Sequence, residues 1–210
     1  MRIIKSLAFI FFLAIPVLLN GQEKLVELEL NPEIQKKIKA GLPLLKNYLI
    51  TDTLELPFFD DFSKYTIYPS AERWEDQNVF VNMGFGVNPP TLGVATFDVL
   101  DSAGMMYDRV STFSFTSDYL TSKPINLQGA GNDVYLSFYF QPMGNGDYPD
   151  SADSLVLEFF SPDSASWNRV WSKEGVPGKI DIAPPFKHII LPILEEEYLK
   201  KGFKFRFFNS

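Results

Sequence analysis

The sequence contains no cysteine and a single histidine, His188, in 210 residues. The missing thiols exclude disulfides, thiolate zinc sites, iron–sulfur clusters and cysteine nucleophiles together. One imidazole excludes metal sites built from several. Positive charge is also scarce, with 19 Lys and Arg against 26 Asp and Glu, a formal net charge of −7. Such a chain is poorly suited to gripping phosphate backbones, so nucleic acid is not an expected partner. No Gly-x-Ser-x-Gly elbow occurs, which removes the usual serine-hydrolase signature. Gly84-Phe85-Gly86 lacks the third glycine and the Gly-Lys-Ser/Thr of phosphate loops, and it reads as a turn. What remains is the chemistry of carboxylates, hydroxyls and aromatic faces. Hydrophobic residues make up 46% of the chain and aromatic residues 15%, enough to bury a sizeable core.

Residues 1–21 have the pattern of a secretory signal peptide. Arg2 and Lys5 precede an apolar run over 6–19, and Asn20-Gly21 closes it. The run is short for a membrane span, so export through the inner membrane is expected, with no membrane-spanning segment after cleavage. Loss of the leader removes two bases and no acid, which makes the mature chain more acidic. Residues 22–55 read as a prelude to the main domain. Val26, Leu28 and Leu30 alternate with acids as in a short strand. Asn31-Pro32-Glu33 then supplies a cap, a first-turn proline and an acid, predicting a short helix over 31–40 that ends at Gly41.

From Leu56 the texture becomes β. Strands are predicted at 79–83, 93–97, 119–122, 134–140, 154–160, 167–172, 186–191 and 203–207. Gly-, Pro-, Asn- and Asp-rich turns separate them. In two strands the period of two is clean. Val134, Leu136, Phe138 and Phe140 oppose Tyr135, Ser137 and Tyr139, and Phe203, Phe205 and Phe207 oppose Lys204 and Arg206. Each strand would bury one face and wet the other. A single helical turn is predicted over 194–201, with acids first, bases last and Gly202 as its stop. The expected class is an all-β antiparallel sandwich over 56–210.

His188 lies in an apolar strand and reads as structural or surface-exposed rather than catalytic. The acids cluster at Asp60-Asp61, Glu75-Asp76, Asp98 with Asp101, and Asp147 with Asp150 and Asp153. A glycosidase needs two carboxyls facing one another at about 5 to 9.5 Å, and neighbours on a strand point to opposite faces. Solvated loop acids and turn caps are the simpler reading. Among the aromatics, Trp167, Trp171 and Tyr148 are candidate platforms for sugar rings, against the plainer reading of partly buried core residues. Trp167 and Trp171 are four apart, so on a regular strand they would share a face with Arg169.

Several segments resemble the N-terminal regions of large exported Bacteroidota proteins. These carry a jelly-roll domain akin to MAM and cleaved-adhesin modules and are commonly type IX secretion cargo. The matching pieces are Leu56-Pro57-Phe58-Phe59-Asp60-Asp61-Phe62-Ser63, Arg73-Trp74-Glu75-Asp76 and Pro89-Pro90-Thr91-Leu92-Gly93-Val94-Ala95-Thr96-Phe97-Asp98. Val79-Phe80-Val81-Asn82, Asp118-Tyr119-Leu120-Thr121-Ser122-Lys123-Pro124-Ile125, Leu136-Ser137-Phe138, Asp153-Ser154-Leu155 and Gly202-Phe203-Lys204-Phe205-Arg206-Phe207 complete the set. The resemblance implies a jelly-roll-like sandwich and a cell-surface or extracellular location reached with secretion machinery. It also implies a structural calcium held by Asp60, Asp61 and Asp98. Such proteins usually continue beyond this point, so an incomplete jelly roll at Ser210 is expected. The leading functional expectation is a non-catalytic module for adhesion or glycan binding, with a glycan or surface protein as partner. The alternatives are an accessory domain of a larger secreted hydrolase, or a scaffold piece of an outer-membrane or gliding assembly.

Overall fold

In a computed structural model of the chain, the residues described are 53–64, 66–98, 116–131, 133–146, 148–175 and 182–210. The expected leader (1–21) and helix (31–40) lie outside them. Among the described residues there is no helix, and nine strands form antiparallel sheets. They are β1 (Phe80–Asn82), β2 (Val94–Thr96), β3 (Ser117–Thr121), β4 (Ile125–Asn126), β5 (Tyr135–Phe140), β6 (Ser154–Ser161), β7 (Ser166–Glu174), β8 (Lys187–Pro192) and β9 (Lys201–Asn209). All eight strands read from turn spacing and alternation are present, and the two-residue β4 is additional.

The largest sheet runs β3-β9-β6-β7, with β4 also paired to β9. β9 sits at its centre because its alternation satisfies both faces. Phe203, Phe205 and Phe207 are buried on one side, while Lys204 and Arg206 reach the other. The inner rings meet edge to face. Phe205 contacts Phe58 at 5.2 Å, Trp74 at 5.7 Å and Phe207 at 6.1 Å, the geometry that aromatic quadrupoles favour. The chain around Trp74 extends this sheet: Glu75 N donates to Thr121 O at 2.8 Å, and Lys123 N donates to Arg73 O at 2.8 Å.

Two smaller pairs complete the architecture, β1 with β2 and β5 with β8. β5 turns Leu136 and Phe138 inward, and Phe138 meets Phe207 at 4.8 Å and Trp171 at 5.2 Å. Its register with β8 pairs Tyr135 with Pro192, Ser137 with Ile190 and Tyr139 with His188. Ile193 N donates to Val134 O at 2.9 Å. Antiparallel hydrogen-bonded pairs alternate, so Tyr135 and Pro192 occupy a pair that exchanges no bonds. The missing N–H of Pro192 therefore costs the β5–β8 ladder nothing.

The helical turn predicted over 194–201 is instead one hydrogen-bonded turn, closed by Tyr198 N to Glu195 O at 3.0 Å. Burial of the Tyr198 ring against Phe159 (5.5 Å) and Phe203 (6.1 Å) competes with helix propagation, and a single turn is too short to repay helix nucleation. Gly202 does not stop a helix. It lies within β9 at φ 97°, where β4 shifts register from Phe203 to Lys201, a bulge position that favours glycine.

Phe205→Ala removes a ring that is 3% exposed and meets three other rings. It is expected to cost about 3–5 kcal/mol in chemical denaturation. A loss under about 1 kcal/mol would show that this ring cluster is not the core.

Candidate functional site

The residues expected to bind metal are placed first by local hydrogen bonding. Asp60 Oδ1 accepts from Phe62 N at 3.0 Å, and Oδ2 accepts from Trp74 Nε1 at 2.7 Å. Asp60 thus ties the Phe58–Phe62 stretch to the buried indole, a contact that strand patterning does not reveal. Asp61 Oδ1 accepts from Ser63 N at 3.1 Å and Ser63 Oγ at 2.7 Å, and the Ser63 hydroxyl is the main cause holding its carboxyl below the usual value. Asp98 lies two residues beyond β2 and is half-buried. Calcium takes six to eight oxygens. Among the described residues, no three Asp, Glu or His side chains gather to hold a metal. Both oxygens of Asp60 and one oxygen of Asp61 already accept N–H or O–H donors.

The candidate sugar platforms separate. Leu157 pairs with Trp171, but Glu158 pairs with Arg169, so Val170 is an extra residue in β7. This bulge turns the two tryptophans to opposite faces. Trp171 packs inward against Phe138 and Phe140, at 5.2 and 5.1 Å. Trp167 lies on the outer face with the Arg206 guanidinium 4.1 Å from its ring centroid and Lys204 at 5.6 Å. Arg206 also binds Glu158 Oε2 through Nη2 at 2.7 Å and Nε at 2.8 Å. One face of Trp167 is therefore already covered by a cation held in an ion pair. Tyr148 is half-buried in the loop before β6.

The solvent face of β5 and β8 presents a row of exposed side chains. Tyr135 is 58% exposed, Tyr139 53% and Ile190 57%. His188 stacks on Tyr139 at 4.4 Å with an interplanar angle of 10°, and its Nε2 lies 2.7 Å from Ser137 Oγ. Strand alternation carries Tyr135, Ser137 and Tyr139 to this face because Leu136, Phe138 and Phe140 take the other. The result is a row of flat rings with a hydroxyl between them and an imidazole pinned beside it. The period-two reading identified the row. Only the pairing with β8 shows that His188 joins it. The Ser137–His188 pair lies on an open sheet face, and among the described residues no carboxylate is hydrogen-bonded to His188.

A second titratable feature borders the main sheet. Asp76 Oδ2 accepts from Thr121 N at 2.8 Å. Burial raises its carboxyl above the usual value of 3.8, only partly offset by the bonds from Thr121. The folded protein therefore holds this proton more tightly than the unfolded chain does. Stability falls as pH rises from about 3.8 through the raised folded value. Asp76→Asn keeps an oxygen for Thr121 N and loses the titration. Its unfolding free energy is expected to be at least that of the parent at pH 7, with a flatter slope between pH 4 and 7. An unchanged slope would show that Asp76 is not its source.

A calcium melt tests the other carboxylates. Adding calcium or chelator is expected to leave the melting temperature unchanged, whereas Asp60→Ala is expected to lower stability by about 1.5–3 kcal/mol through the lost Trp74 bond. A rise with calcium that vanishes in Asp61→Asn would establish a metal site. Comparison with known proteins finds no matching family model, no matching curated protein and no matching solved structure.

Proposed function

We propose that the domain is a non-catalytic binding module of an exported, cell-surface protein, built as a jelly-roll-like sandwich, and that it takes glycans on the solvent face of β5 and β8. The observation that carries this reading is the row of Tyr135, Ser137 and Tyr139 with His188 stacked on Tyr139. Pyranose rings offer flat faces of C–H groups to such platforms, and hydroxyls nearby supply the polar contacts that orient a ligand. Export rests on the leader pattern of residues 1–21, and the surface location rests on the resemblance of segments from Leu56 onward. Among the described residues, no helix is long and apolar enough to cross a membrane.

The Ser137–His188 pair favours one alternative, a hydrolase or its accessory domain. A serine nucleophile needs a base, an orienting acid and donors for an oxyanion. Of these, the pair supplies only the base.

The test is a panel of neutral and acidic polysaccharides measured by affinity electrophoresis and calorimetry, beside a hydrolase screen. Tyr135→Ala and Tyr139→Ala are each expected to weaken binding by roughly tenfold, about 1.4 kcal/mol, and to leave the fold intact because both rings are exposed. Retention of full affinity in the double variant would reject the platform. Turnover abolished by Ser137→Ala would replace this reading with the hydrolase.

A further inference from the structure

A cavity of about 580 Å³ is bordered by two unbroken runs of residues, 134–142 and 93–97. The first contains all of β5 and the second all of β2. Side chains alternate across a strand, so a cavity that touches every residue of a strand touches its backbone edge. Hydrogen-bond phase agrees. Val134 O bonds β8, so Tyr135, Ser137 and Tyr139 turn their N–H and C=O groups away from β8. Val81 N donates to Ile67 O. Val81 and its partner Ala95 therefore exchange no bonds, and Ala95 turns its own backbone groups away from β1.

The two edges do not reach each other. No Cα of β2 comes within 8 Å of a Cα of β5, whereas paired strands lie about 4.8 Å apart. The gap is thus wider than one pairing step, and Leu120, Phe205 and Phe207 of the large sheet line it with apolar surface. One end is tied. Gln141 Nε2 donates to Val87 O at 3.0 Å and Pro184 O at 2.7 Å, and Gln141 Oε1 accepts from Val87 N at 2.9 Å.

We propose that this cavity is a strand slot, which takes an extended peptide from a partner protein and pairs it with the edge of β5. Main-chain bonds to Tyr135, Ser137 and Tyr139 supply affinity, and alternate apolar side chains of the peptide enter toward Phe205 and Phe207. The charged lining sets the polarity of the partner. It consists of Asp60, Asp61, Asp153 and Glu174 against Lys173 alone, so basic residues flanking the apolar core of the peptide are favoured. The slot uses the backbone of β5, not the tyrosine rings, and is independent of the glycan surface.

The experiment uses the full chain and a synthetic peptide of alternating valine and threonine, matched to β5 in length and with lysine at each end. Amide exchange at Tyr135, Ser137 and Tyr139 is expected to be fast in the free protein and slowed by the peptide. A peptide of the same sequence, N-methylated at every second residue, is expected to bind at least about tenfold more weakly. Three results would overturn the proposal. Protection of these amides in the free monomer would mean that the chain fills its own slot. Protection that appears only with dimerisation would make a second copy the occupant. Equal binding of the methylated peptide would reduce the cavity to a non-specific apolar pocket.

Discussion

The placement of β9 is the constraint on which the rest depends. It pairs with β3, β4 and β6, so it fixes the register of every strand in the large sheet except β7. Its three inward phenylalanines then set what lies opposite. Phe205 receives Phe58 and Trp74, and Phe207 receives Phe138. Its outward Lys204 and Arg206 organise the wet face through Glu75, Glu158 and Trp167. A one-residue slip would exchange these two sets, burying two cations and exposing three rings. The cost of that exchange is the reason that a single strand can specify so much of the domain.

Local patterning made the strands legible, because alternation and turn residues are properties of short segments. Pairing is not local. Ser137 and His188 are 51 residues apart, and nothing in either segment announces the other. The tryptophans show a second limit. Their spacing assumes a regular strand, and the bulge at Val170 breaks that assumption without any glycine to mark it. The carboxylates show a third. Asp60 reads as a solvated loop acid, yet its partner is the indole N–H of the buried Trp74, fourteen residues away. The turn at Glu195–Tyr198 failed as a helix for a different reason. Its charges favoured a helix, but a single turn is too short to repay helix nucleation.

The strand β5 divides its chemistry three ways. Leu136, Phe138 and Phe140 are spent on the core. The rings of Tyr135 and Tyr139 face solvent beside His188. The backbone of the same outward residues faces sideways, along the sheet. These directions are nearly perpendicular, so recognition by rings and recognition by main chain need not compete. The strand owes this separation to its strict alternation, since a bulge would mix the three sets.

Pro192 gives the β5–β8 pair a handedness in how it can grow. It sits where β8 would point an N–H outward, away from β5, and a proline has none to offer. The far edge of the pair therefore lacks one donor at its end, while Ile190 and His188 still point theirs outward, and the near edge keeps its donors at Tyr135, Ser137 and Tyr139. Strand addition is less favourable on the far edge than on the near one, which biases growth toward one side of the pair.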